Sequence, residues 1–89
     1  MERRNRLQII LDILELMQRK GGNIKPTHLL YGGNLSYDRL KKYIKELEEK
    51  GLIMQVNDKG KTRYRITDKG LNFINEARKI KEITDAFGL

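Results

Sequence analysis

The sequence predicts an α+β fold, mainly α, in which three helices and a β-hairpin are followed by a fourth helix. Two kinds of periodicity predict it. Apolar residues recur at helical spacing in four segments, whereas two short segments between Leu52 and Ile66 alternate as strands do. Glycines punctuate the segments at 21–22, 32–33, 51 and 60, where helices stop and turns begin. No linker, repeat or low-complexity stretch divides the 89 residues, so one domain over 1–89 is expected.

The first helix is expected from about Arg4 to Lys20, ending at Gly21-Gly22. Leu7, Ile10, Leu14 and Met17 form one apolar stripe and Ile9, Ile13 and Leu16 a second, so this helix needs cover on two sides. Pro26 suits the first turn of a short second helix through Leu30, because a proline lacks only an N–H that has no partner there. The stretch Tyr31-Gly32-Gly33-Asn34-Leu35-Ser36 then reads as a corner between helices, with glycines free to take positive φ. Ser36 is placed as N-cap of a third helix ending at Gly51, in which Tyr37, Leu40, Ile44 and Leu47 fall on one, core-facing side. Leu52, Met54 and Val56 are expected on the inner face of the first strand, and Tyr64 and Ile66 on that of the second. Asn57 to Lys61 is the turn between them, and alternation puts Arg63 and Arg65 together on the outer face. Thr67-Asp68 caps the last helix, 68–87, which carries Leu71, Phe73, Ile74, Ala77, Ile80, Ile83 and Phe87.

This element order is that of a winged helix-turn-helix: three-helix core, β-hairpin wing, C-terminal helix. Charge follows the same plan. Arg39, Lys41, Lys42 and Lys45 fill the first turns of the third helix, while Glu46, Glu48 and Glu49 fill its end. A helix entering a major groove by its N-terminal end would bring those cations to phosphate and hold the anions away. Lys59, Lys61, Arg63 and Arg65 add cations on the hairpin, where charge can also serve only to blunt a strand edge. The four tyrosines read as packing residues, and only Tyr37, in the first helical turn, is placed to reach DNA.

Tyr31-Gly32-Gly33-Asn34-Leu35-Ser36-Tyr37, Tyr43-Ile44, Gly51-Leu52-Ile53 and Tyr64-Arg65-Ile66-Thr67-Asp68-Lys69-Gly70 resemble the archaeal small basic winged-helix DNA-binding proteins. The resemblance runs from about Leu7 to Phe87, and the Tyr-Gly-x-Asn-Leu-Ser-Tyr turn is its more specific part. It implies that Ser36 to Lys45 read DNA, that Lys59 to Arg65 form the wing, and that the C-terminal helix pairs two subunits as an antiparallel coiled coil. That helix is shorter here than in the best-known members.

Nineteen Lys and Arg against twelve Asp and Glu leave a formal charge of +7, which favours a polyanionic partner. There is no cysteine, and His28 is the sole histidine, so no metal site and no cofactor are expected. Asp12 and Glu15 interrupt the apolar part of the N-terminal segment, which argues against a secretory signal, and no apolar run of about 18 residues exists to span a membrane. A cytoplasmic, nucleoid-associated protein is expected. Catalysis is not: no nucleophile with a base, no carboxylate pair and no phosphate-binding glycine loop followed by Lys and Ser/Thr is present.

The expected function is therefore binding of double-stranded DNA, as a transcriptional regulator or an archaeal architectural protein. The alternative is a winged helix used for protein–protein contact in a transcription or replication complex, with double-stranded RNA a third possibility. Phe73, Ala77, Ile80, Thr84 and Phe87 are spaced by threes and fours as in a coiled-coil seam, and with Ile83 are the expected homodimer interface. A fold-back of the last helix over the first is the competing use of the same side chains.

Overall fold

The computed structural model describes the backbone of residues 5–33 and 35–89, and the side chains of all of these but 30–33. The elements in chain order are α1 (Arg6–Arg19), β1 (Asn23–Ile24), α2 (Pro26–Gly33), α3 (Tyr37–Glu49), β2 (Ile53–Asp58), β3 (Lys61–Ile66) and α4 (Asp68–Ala86).

Helix α1 begins at Asn5, whose side-chain oxygen accepts the Gln8 N–H at 2.8 Å. Both of its apolar stripes are buried, Ile9, Ile13 and Leu16 as well as Ile10, Leu14 and Met17. Leu7 alone of the predicted stripe stays exposed. Helix α2 runs past the expected end at Leu30, so Gly32 and Gly33 are helical and not a positive-φ corner. What remains of the corner is Leu35, which is buried, and Ser36; Asn34 lies outside the described residues.

Ser36 caps α3 as expected, its Oγ accepting the Arg39 N–H at 3.3 Å. At the other end Gly51, at φ 75°, donates to the Glu48 carbonyl, and the Leu52 N–H reaches the Leu47 carbonyl at 2.9 Å. That pair of bonds satisfies carbonyls the helix would otherwise leave open, and it brings buried Leu52 back onto Leu47. Leu40, Ile44 and Leu47 are buried, but Tyr37 is 64% exposed and does not belong to the core side where its spacing put it. Tyr37 is the first residue of α3, and it lines an open groove with Pro26, Thr27 and Tyr64 instead of closing into the core.

The sheet has three strands in the order β1-β3-β2, both pairings antiparallel. The strand β1 was not foreseen; at two residues it is too short to show alternation. Its pairing sets Ile24 opposite Tyr64, and β2 sets Ile53 opposite Ile66. Directly paired residues share a face, so the inner face is Ile24, Ile53, Tyr64 and Ile66. Met54 and Val56 pair with Arg65 and Arg63 and therefore lie on the outer face, the reverse of the expected parity. Met54 is accordingly 47% exposed. Leu52 is buried as the residue that follows the α3 stop, ahead of the strand and outside its alternation. The turn is also tighter than predicted: only Lys59 and Gly60 lie between the strands, at φ 53° and 80°. Two successive positive φ values are those of a type I′ hairpin turn.

Thr67 caps α4 by accepting the Gly70 N–H at 3.1 Å and donates its own hydroxyl to the Gly51 carbonyl at 2.6 Å. Lys69 Nζ reaches the Lys50 carbonyl at 2.7 Å, so the start of α4 is fastened to the end of α3. Gly70 and Ile74 are buried, with Leu71 and Phe73 packed beside them. Farther along, α4 lies against α1, where Arg78 meets Gln18 at 3.3 Å and Glu15 at 4.0 Å. Beyond that point Ile80, Ile83 and Phe87 are exposed. No helix among the described residues is long and apolar enough to cross a membrane.

Candidate nucleic-acid interface

With Leu40, Ile44 and Leu47 turned inward, a helix of 3.6 residues per turn presents Asp38, Lys42, Lys45 and Glu49 directly outward. Lys41 and Glu48 lie on one flank of that face, and Arg39 and Glu46 on the other. Ser36, Tyr37, Arg39, Lys41, Lys42 and Lys45 are all exposed, so every predicted residue of this helix is available at the surface. Lys41 Nζ stands 6.0 Å from the centroid of the Tyr37 ring, one turn away, within reach of a cation–π attraction.

The flank bearing Lys41 faces the sheet. A shallow groove there is lined by Pro26, Thr27, Leu29, Tyr37, Leu40, Lys41, Ile44 and Tyr64, so α2, α3 and β3 meet around it. Burial pushes the Tyr64 phenol above its ordinary pKa, and the charge of Glu48, then that of ionised Tyr37, adds to the rise. Tyr64 therefore remains a neutral hydroxyl at neutral pH.

On the wing, Lys59, Lys61 and Arg65 are exposed. Arg63 differs. Its side chain is about one-third exposed, beside Val56 on the outer face, with Asp58 Oδ2 3.6 Å from its Nε. Among the described residues that Nε is the buried side-chain nitrogen without a hydrogen bond. The wing thus presents three open cations and one that is half-buried and partly neutralised.

The opposite flank of α3 carries a feature that the sequence did not suggest. Arg6, from the first turn of α1, forms an ion pair with Glu46, and Arg39, Lys42 and Tyr43 complete a cleft around them. Arg6 belongs to the basic N-terminal segment, but nothing in its spacing says that this end of α1 comes down beside the middle of α3.

On α4, the predicted seam divides. Phe73, Ala77, Ile80 and Thr84 line a groove whose other wall is Asn5, Leu7, Gln8 and Leu11 of the α1 end. Ile83 and Phe87 lie outside its lining, Phe87 at 78% exposure. Part of the stripe is therefore used in folding back on α1, and its far end is uncovered. His28 is exposed on α2, and no group of three or more metal-ligating side chains occurs among the described residues.

No curated protein sequence matches the chain. Solved structures do. Sso10a-2, a DNA-binding protein from Sulfolobus solfataricus, superposes with a TM-score of 0.79 over 94% of this chain and 85% of its own, at 23% identity. F93 from STIV, a winged-helix DNA-binding protein, gives 0.75 over 90% and 92% at 15% identity. A MarR family protein from Bacillus stearothermophilus gives 0.72 at 18% identity, over 96% of this chain but only 60% of that one. At such identities the likeness is one of fold. A family model described as winged helix-turn-helix matches residues 3–85. Element order, the three-stranded sheet with its tight hairpin, and a match running nearly end to end agree: the chain belongs to the winged helix-turn-helix family.

Proposed function

We propose that this protein binds double-stranded DNA through α3 and the wing, as a homodimer, in a regulatory or architectural role. The observation that carries the proposal is the exposure of Lys41, Lys42 and Lys45 on α3 together with Lys59, Lys61 and Arg65 on the wing. A B-DNA major groove is about 12 Å wide and admits one α-helix. With the first turns of α3 in it, Lys42 and Lys45 meet phosphates while Glu48 and Glu49 stay at the rear. The wing cations then clamp neighbouring backbone.

Lys59 adds support of a separate kind. Asn or Gly is favoured at the first central position of a type I′ turn, and a lysine there accepts an unfavourable φ. A cation at the wing tip is thus kept at a conformational cost, as expected where the charge is used. The α3 face is rich in Lys and holds only Arg39 as a bidentate reader of guanine, which suits broad affinity with modest sequence preference. That fits an architectural protein of the archaeal type, held on the nucleoid, at least as well as a regulator of few sites.

Pairing of two copies would proceed through the uncovered end of α4, Ile80, Ile83 and Phe87, with Phe73, Ala77 and Thr84 continuing the stripe. A two-fold dimer would present two α3 helices to half-sites about 34 Å apart or a multiple of that. The test is a gel shift on random duplex DNA at increasing salt. Binding that weakens steeply and linearly in log–log form is expected. Absence of binding, or binding insensitive to salt, would overturn the proposal.

A further inference from the structure

We infer that the cleft between α1 and α3 is a second phosphate site, with Arg6 as a ligand and Glu46 as the anion that a phosphate displaces. The inference rests on the duplex-binding proposal and adds an element, α1, that neither the helix-turn-helix nor the wing supplies.

The cleft is lined by Arg6, Arg39, Lys42, Tyr43 and Glu46, three cations to one carboxylate. Its position on α3 is what gives it meaning. Leu40 faces the core, and steps of about 100° per residue put Arg39 and Glu46 on one flank of the outward face and Lys41 and Glu48 on the other. The Lys41 flank is the one that meets Tyr64 and the wing strand. The Arg39 flank meets Arg6. A helix lying in a major groove has a phosphate backbone on each side. The wing serves one, and the cleft stands at the other.

Arg6 is held in place by Glu46, whose side chain is only about one-quarter exposed, while Arg6 itself remains nearly two-thirds exposed. The ion pair therefore does two things. It fastens the first turn of α1 to α3, and it aims a guanidinium outward beside Arg39 and Lys42. A guanidinium has five donors in a planar fork, so a phosphate oxygen can be bound alongside or in place of the carboxylate. The half-buried Tyr43 completes the lining. Replacing one anion by another leaves Glu46 near the phosphate, and that repulsion limits affinity.

Two variants on opposite sides of the same ion pair separate this from a purely structural role. Both remove the ion pair, and if fastening α1 were its whole purpose neither would strengthen DNA binding. Arg6→Ala leaves the mostly buried Glu46 carboxylate without its partner, whereas Glu46→Gln keeps an amide oxygen that can still accept from Arg6. For DNA they diverge. Arg6→Ala removes one phosphate contact, worth about 0.9 in the salt slope, or about a 3.5-fold smaller loss of affinity on raising salt from about 50 to 200 mM. Glu46→Gln removes the competing anion and is expected to tighten binding several-fold. Arg6→Lys keeps the charge and should retain the slope. Affinities are measured on random duplex DNA, with circular dichroism to establish the folded fraction, and Arg65→Ala as the wing control. An Arg6→Ala slope equal to wild type while Arg65→Ala loses about 0.9 would overturn the cleft and spare the duplex reading. So would a Glu46→Gln variant that is folded and binds more weakly. A wild type without salt-dependent binding would overturn both.

Discussion

Gly70, in the first turn of α4, packs so closely on Leu52 that a Cβ built on it would stand 2.3 Å from the Leu52 carbonyl oxygen. Ile66 Cγ1 would be 2.7 Å away. The same carbonyl accepts the Thr67 N–H at 3.1 Å, so the end of α3, the start of β2 and the start of α4 share one junction. Gly70→Ala would gain about 1 kcal/mol of helix propensity but must push backbone aside, an overpacking cost of about 1–3 kcal/mol or more. A lower melting temperature is expected, and a variant that melts at or above wild type would show that the junction has slack.

The wing tip offers a change of opposite sign. Lys59→Asn places a residue that tolerates positive φ at a type I′ position and should raise stability by up to about 1 kcal/mol while weakening duplex binding. Denaturant melts and binding curves on the same preparation check both halves. Stability and affinity rising together would mean that the tip lysine contacts nothing.

Arg63 and Arg65 share a face but should behave differently on substitution. Arg65→Gln is expected to leave stability within about 0.5 kcal/mol, as exposed positions do, and to reduce DNA affinity. Arg63→Gln should cost on the order of 1 kcal/mol in addition, through the loss of its packed stem and its Asp58 partner. Equal melting temperatures for the two would contradict the distinction drawn from their burial.

For assembly, light scattering of the wild type and of Ile80→Glu/Phe87→Glu at tens of micromolar is decisive. The wild type should have the mass of a dimer and the double variant that of a monomer, since charge buried in an apolar seam costs several kcal/mol. A monomeric wild type, or a dimeric variant, removes α4 as the pairing element.

Much of the fold was legible because it is written in periodicity and caps. The α1 stripes, the Ser36 and Thr67 caps and the Gly51 stop are local features, and each occurs where its residues place it. What the sequence hid depends on non-local pairing. Met54 and Val56 alternate as well as any inner face would, and only the register with Arg65 and Arg63 shows that they face outward. A two-residue strand such as β1 carries no pattern of its own. Tyr37 has core spacing but, as the first residue of α3, stands at an open groove and stays exposed. The cations of α3 and the wing could be named in advance from charge and alternation. Neither the half-burial of Arg63 nor the approach of Arg6 to Glu46 could be, because both follow from tertiary packing.

The central claim, that α3 enters duplex DNA and holds phosphates with Lys42 and Lys45, is tested most directly by the salt dependence of binding. The logarithm of the association constant is measured against the logarithm of salt concentration for wild type and for Lys42→Ala/Lys45→Ala. Each phosphate contact contributes about 0.9 to the slope, so the double variant should be shallower by about two and weaker on every duplex tried. An unchanged slope in a folded variant would place the DNA elsewhere on the molecule and contradict the account.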